Sequence, residues 1–274
     1  MKIETQLRFY KSFNGITPDI QYSGFVTTDE SWRQEPLYAS YSRLYFVTEG
    51  SGMLISDSEQ IPLEPGYVYL APCGLKCGFY SSPSVTKLFF HVGLSLTADG
   101  GDVFESLGHF ARLPRSVEYI ERLKEWYLGS DPYGYLMLKS EIFKTICDFL
   151  RSEGQEDEKG EGYSGAVSEA IRYIKSNICA TLTVKSVAEA ALCSQSKLSA
   201  LFRDEIGQSV SSYIEDILMS EAQTLLMYSD LTIGEISEKL GFCDQFYFSR
   251  RFRKRFSIPP KDYRKSGRGG GSEK

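Results

Sequence analysis

The densest chemistry in the chain lies in QFYFSRRFRKRF, residues 245–256. Five of the six residues from 250 to 255 are basic: Arg250, Arg251, Arg253, Lys254 and Arg255. Phe248, Phe252 and Phe256 recur every fourth residue, so they share one helical face. Asp244 stands where an N-cap belongs. The stretch is therefore an apolar stripe backed by guanidinium and ammonium donors. Such donors suit phosphate oxygens and the acceptor edges of bases. For the stretch alone, a solvated charged face is the competing reading, so the surrounding elements must decide.

A shorter helix precedes it. Thr232 with Glu235 three residues on forms a capping box, Ile233, Ile236 and Leu240 make an apolar face, and Gly241-Phe242 ends the helix. Sliding residues 191–213 forward by 50 reproduces the pattern. Ala191 to Gln195 falls on Gly241 to Gln245, Leu198-Ser199 on Phe248-Ser249, Phe202-Arg203 on Phe252-Arg253, Ile206-Gly207 on Phe256-Ser257, and Tyr213 on Tyr263. The first copy opens at Thr183, Ser194 caps its second helix, and Gly207 closes it. One long helix, Val210 to Tyr228, separates the copies.

Helix, tight turn, helix is the pattern of a major-groove reader whose second helix presents its N-terminal outward residues to base edges. These are Gln245, Phe246, Ser249 and Arg250 in the second copy, and Gln195, Ser196, Lys197 and Ser199 in the first. Arg250 suits guanine O6/N7, Gln245 an adenine edge, and Phe246 a thymine methyl. Arg203, Arg253, Lys254 and Arg255 suit phosphates, as do backbone amides at the helix starts near Thr183 and Thr232. Ala200 stands where the second copy has Arg250, so most base readout is expected from the second copy.

Residues 166 to 265 resemble the DNA-binding domain of the AraC/XylS family of bacterial transcription regulators. The resemblance rests on Ser237-x-x-Leu240-Gly241-Phe242-x-Asp244-x-x-Tyr247-Phe248-Ser249-Arg250-x-Phe252-Arg253-Lys254-x-Phe256 and on Pro260-x-x-Tyr263-Arg264. Leu218, Ser257 and Pro259 depart from the family pattern, in which Arg, Gly and Ser are usual.

The first 97 residues alternate short β-rich runs with turn signals: Ile20–Val26, Ser42–Thr48, Gly52–Ser56, Gly66–Ala71, Gly74–Tyr80 and Lys87–Gly93. Glu49-Gly50-Ser51-Gly52, Glu64-Pro65-Gly66 and Ser81-Ser82-Pro83 are the expected breaks. YFVTEGSGMLISDSEQIPLEPGYVYLAP resembles the β-barrel of the cupin superfamily. That superfamily's metal enzymes use paired histidines, whereas this chain has only His91 and His109, and neither metal nor cofactor is expected. A small-ligand pocket is expected instead, lined by Arg43, Glu49 and His91 with Trp32 and Tyr45 as stacking surfaces. A planar guanidinium, an imidazole and an indole face suit a sugar. The ordinary alternatives are a surface ion pair for Arg43, a satisfied barrel residue for His91, and loop packing for Trp32.

Two amphipathic helices follow. Residues 116–128 place Val117, Ile120, Leu123 and Tyr127 on one side; residues 133–150 place Leu136, Ile142, Phe143, Ile146 and Leu150 in an arc wide enough to face a second subunit. The sequence thus predicts an α+β protein. Residues 1–150 form a cupin-like ligand-sensing and dimerisation domain, and 151–165 a Glu/Gly-rich linker. Residues 166–266 form a double helix-turn-helix domain, and 267–274 a disordered tail.

Charge divides the same way: 15 Lys+Arg against 23 Asp+Glu over 1–162, but 15 against 12 over 163–268. Only the second half is therefore expected to meet nucleic acid. No apolar run reaches a membrane span, no secretory core opens the chain, and the six cysteines lack metal-like pairing, with Cys73-x3-Cys77 left as a possible redox pair. A cytoplasmic, non-enzymatic regulator is expected. Its expected partners are double-stranded promoter DNA, a small effector, RNA polymerase and a second copy of itself, and family resemblance implies activation and a sugar-like effector. The rival readings are a regulator controlled by a partner protein and a cupin enzyme fused to a DNA-binding tail.

Overall fold

The computed structural model describes residues 18–94, 102–105, 107–153 and 163–268. The described residues divide into two compact units, one within 18–36 and 41–153, the other of 37–40 and 163–268.

The first unit is built on β1 (Asp19–Thr28), β2 (Arg33–Leu37), β3 (Ser42–Ile55), β4 (Gln60–Leu63), β5 (Tyr67–Ala71), β6 (Cys77–Gly93) and β7 (Ala111–Pro114). They make one seven-stranded sheet ordered β1-β6-β3-β5-β7, with β2 on β6 and β4 on β3. Neighbours along this path run antiparallel, and so do β3 and β4. Among the described residues the pairing path is open, with β1 at one end and β7 at the other.

Two expected breaks are not breaks. Glu49–Gly52 and Ser81–Pro83 lie inside β3 and β6, which stay paired through irregularities at Val47/Glu49 and Gly50/Gly52. Gly50 has φ +76°, and a Cβ there would collide with the Ser84 carbonyl oxygen. The glycines thus let two long strands bulge and bend without parting. The short strands β2, β4 and β7 carried no clear alternation and were not anticipated.

Strand alternation gives the sheet two faces. Leu44, Phe46, Leu88, Phe90 and Val92 pack with α1 (Val117–Leu128) and α2 (Pro132–Glu153) through Ile120, Leu123, Leu138, Ile142, Ile146 and Phe149. The opposite face gathers Tyr45, Val47, Tyr69, Phe79, Val85 and Phe89. Ser116 caps α1 by accepting from the Tyr119 amide. Val117, expected to face inward, is exposed, and so is Leu136 in the wide apolar arc of α2. Leu138 and Phe149 take the inward positions on α2.

The second unit is helical: α3 (Gly165–Ser176), α4 (Val184–Ala190), α5 (Gln195–Ile206), α6 (Val210–Tyr228), α7 (Ile233–Lys239), α8 (Gln245–Phe256) and α9 (Pro260–Arg268). Its core has two clusters, and α6 is the wall common to both. Val210, Tyr213, Ile214 and Ile217 join Ile171, Val187, Leu198 and Phe202. Leu218, Met219, Ala222, Leu225 and Leu226 join Ile236, Leu240, Phe248 and Phe252. Leu218, at a position where the related pattern carries Arg, is simply core. Most of the expected linker and tail, 154–162 and 269–274, lies outside the described residues.

Candidate nucleic-acid interface and sensor face

The second helix pair is fixed by its caps. The Thr232 hydroxyl accepts from the Glu235 amide at 3.2 Å, and the Glu235 carboxylate accepts from the Thr232 amide at 2.7 Å. Asp244 starts α8 by accepting from the amides of Phe246 and Tyr247, both at 2.7 Å. These bonds hold both carboxyls below their usual pKa, through the Thr232 amide for Glu235 and chiefly the Tyr247 amide for Asp244. Phe248 and Phe252 bury completely, so α8 can turn only its other faces outward.

The first pair repeats this design. Thr183 and Ser186 form a capping box, Ser194 caps α5, and the closing residues Gly207 and Ser257 both adopt left-handed backbone, φ +78° and +61°. Residues 201–210 and 251–260 show the same sequence of buried and exposed positions, residue for residue. The repeat distance needs one correction. It is 50 from the second helix onward but 49 across the first, because the caps are Thr183 and Thr232. Leu192 (φ +51°) and Gly241 (φ +71°) hold the equivalent turn conformation, with matching bonds to Glu189 and Glu238. The second turn is therefore longer by one residue.

The surface of α8 presents Gln245, Phe246 and Arg250 exposed, with Ser249 partly covered. Phe246 is 68% exposed, an apolar ring standing in water. The matching α5 positions Gln195, Ser196, Lys197 and Ser199 are also exposed. Arg203, Arg253 and Lys254 extend outward further along the two helices. Arg255, expected at phosphate, instead pairs with Asp216 of α6 at 3.3 Å, because its place on α8 turns it toward that helix. Arg251, given no role from sequence, pairs with Glu215 of α6 and lies over the Phe242 and Tyr247 rings at 5.3 and 5.7 Å. Tyr247, Arg250, Arg251, Lys254, Arg255 and Glu215 line an open groove of ≈ 720 Å³.

The amides of Thr183 and Thr232 themselves do not face outward. Ser186 and Glu235 accept from them, so any phosphate contact at those helix starts falls on the following amides.

On the first unit, β3–β6 register pairs Arg43 with His91, Tyr45 with Phe89, and Val47 with Lys87. Arg43, Tyr45, Lys87 and His91 therefore share the helix-free face. Arg43, Tyr45 and His91 are nearly fully buried, and Trp32 is half-buried against Phe79, ring centroids 4.3 Å apart. Glu49 does not join them. It sits at the β3 bulge with its side chain exposed, since the bulge breaks the alternation that would have turned it inward. His91 stacks on Tyr41 at 4.2 Å, and burial, then Arg43, then Lys87 lower its pKa well below the usual value, leaving a neutral imidazole. Lys87 was missed, although it stands in phase with Phe89 and His91 on an alternating strand. Cys73 and Cys77 are buried, and burial raises the Cys77 pKa.

Residues 187–266 match the family described as "Helix-turn-helix domain". The chain is 26% identical over 263 residues to the arabinose operon regulatory protein of Salmonella typhimurium, covering 91% of each chain. It is 22% identical over 271 residues to the Msm operon regulatory protein of Streptococcus mutans, covering 94% of this chain and 97% of that protein. Residues 187–266 thus form an AraC-type helix-turn-helix domain, and the relatives that align over nearly the whole chain are AraC/XylS-family regulators. A likeness of fold extends over most of the chain. Apo ToxT from Vibrio cholerae superposes with a TM-score of 0.65, covering 88% of this chain and 96% of that one, at 13% identity. The second repeated helix pair lies wholly, and the first mostly, within the matched residues 187–266.

Proposed function

We propose that the chain reads promoter DNA with α5 and α8 and adjusts that binding to a small sugar-like effector on the helix-free face of its sheet. The observation that carries the DNA half is the pair of similarly capped and buried helix pairs packed on one continuous helix. The 19 residues of α6 span about 28 Å at 1.5 Å per residue. That is commensurate with the roughly 34 Å turn separating successive major grooves.

Gln245, Phe246, Ser249 and Arg250 are assigned to base edges in the groove facing α8, with Gln195, Ser196, Lys197 and Ser199 in the groove facing α5. Arg203, Arg253 and Lys254 are assigned to phosphates. Arg251 and Arg255 hold α8 against α6 through Glu215 and Asp216, which aims the reading face.

Support for the sensing half is the buried cluster of Trp32, Arg43, Tyr45 and His91 together with the sugar-operon regulators among the relatives. Activation is supported by a relative named as a lactose operon transcription activator, and it would require contact with RNA polymerase. A homodimer is supported by Leu128, Tyr133, Tyr135 and Leu136, which leave large apolar side chains exposed around the junction of α1 and α2. Residues 1–150 would then serve sensing and dimerisation, and 166–266 DNA binding.

The test is selection of bound fragments from random DNA with the full chain, followed by footprinting with and without arabinose, xylose and galactose. Two protected major grooves on one DNA face are expected. Protection of a single groove, or recovery of unrelated sequences, would refute the two-reader reading.

A further inference from the structure

Lys87 is among the largest fully enclosed side chains of the protein, with 2% of its surface accessible. Its Nζ has no hydrogen-bond partner. It lies 3.2 Å from the centroid of the Trp32 ring and 5.0 Å from that of Tyr45. Arg43, on the same face and 3% exposed, also keeps one terminal nitrogen, Nη1, without a partner. Its guanidinium stands 5.2 Å from the Tyr41 ring. Two basic side chains are thus enclosed on one face, and no ion pair joins either to a carboxylate among the described residues. Glu49, the acid that alternation would have brought there, is turned out by the bulge.

An ammonium buried without an acceptor is among the most costly arrangements a core can hold, so burial lowers the Lys87 pKa well below its usual value, and a carboxylate beside the amine would restore its charged form. Ring faces recover part of that cost but carry neither the full charge nor the lone pairs of a carboxylate. A sugar hydroxyl would supply a neutral acceptor; a carboxylate supplies charge and several lone pairs together. We propose that Lys87 is the seat for the carboxylate of a small organic acid, with Arg43 donating to the same ligand and Trp32 and Tyr45 as its apolar walls. The inference rests on the effector-sensing reading above and narrows it to an anionic effector. The acid group has two plausible carriers, a sugar acid and an aliphatic acid.

Thermal melting of the full chain separates them. The probes are D-galacturonate against D-galactose, and hexanoate against hexanamide, in the wild type and in Lys87→Met and Lys87→Gln. At saturating probe, the melting temperature should rise by about 3 °C or more with one acid and not with its neutral counterpart. Both variants should abolish that rise while still melting cooperatively. A shift from galacturonate identifies a sugar acid, and one from hexanoate an aliphatic acid.

The proposal is overturned if neither acid shifts the melt, if a neutral partner matches its acid, or if either folded variant keeps the shift. Stabilisation by galactose alone would sink the carboxylate seat and leave the sugar-effector reading intact. Failure of all variants and the wild type to bind DNA would refute the regulator assignments without touching the seat.

Discussion

Arg250 and Lys254 are one helical turn apart, yet their chemistry assigns them different work. Arg250 is on the exposed N-terminal half of α8, where a planar fork reaches base edges. Substituting Arg250→Ala should relax the preference at one base pair, by about 1–3 kcal/mol in competition binding. Lys254→Ala should weaken all sequences alike and flatten the slope of log affinity against log salt by about 0.9. A uniform loss from Arg250→Ala would remove it from base reading. Ser257 is a second residue-scale matter. It holds φ +61° where its counterpart is Gly207, so its Cβ imposes strain that glycine lacks. Ser257→Gly should stabilise the helical unit by about 1 kcal/mol, read as a higher denaturant midpoint with unchanged slope.

At the scale of elements, α7 has only seven residues, too few to persist without its cap and its packing. Thr232→Ala removes the hydroxyl that accepts from the Glu235 amide and should cost about 1 kcal/mol in chemical denaturation. The caps also set an acid limit. Glu235 and Asp244 have folded pKa values below their unfolded ones. The folded state therefore binds fewer protons than the unfolded chain between the two values. Their stabilisation is complete above the unfolded carboxylate range and is lost as pH falls through the folded values. Asp244→Asn keeps a capping oxygen but does not titrate, so its melting temperature should fall less steeply than the wild type's below about pH 4. Parallel acid profiles for the two proteins would show that Asp244 contributes nothing to the limit.

For the whole molecule, the proposed homodimer would form through the exposed apolar set around Leu128, Tyr133, Tyr135 and Leu136. Leu136 is 69% exposed on α2, so replacing it perturbs no core. Leu136→Glu should weaken self-association at least tenfold, about 1.4 kcal/mol, in sedimentation velocity, and shorten the footprint to one chain's length. An unchanged sedimentation coefficient would place the interface elsewhere. Charge also acts at this scale. Residues 1–162 carry an excess of acids and 163–268 an excess of bases, so attraction to DNA is confined to the unit that carries the readers.

Local pattern alone determined much of this protein. Phe248-x3-Phe252-x3-Phe256, the Thr and Asp caps, and the repeat made two helix pairs legible, because helix start, stop and buried face are written within a few residues of one another. The 49-residue spacing of the first helices was hidden, because a one-residue difference in a turn changes backbone conformation more than composition. Glu49 was misplaced for a related reason: alternation assigns faces only while a strand stays regular, and a bulge reverses them. Arg251 and Arg255 read as two more cations until α6 supplied Glu215 and Asp216. Lys87 looked like any strand lysine. Only the pairing of β3 with β6, residues 40 apart in the chain at Val47 and Lys87, enclosed it beside Trp32. Sequence fixes what a few neighbouring residues must do together. Which charges are paired, and which are left waiting for a ligand, depends on contacts that only the tertiary fold creates.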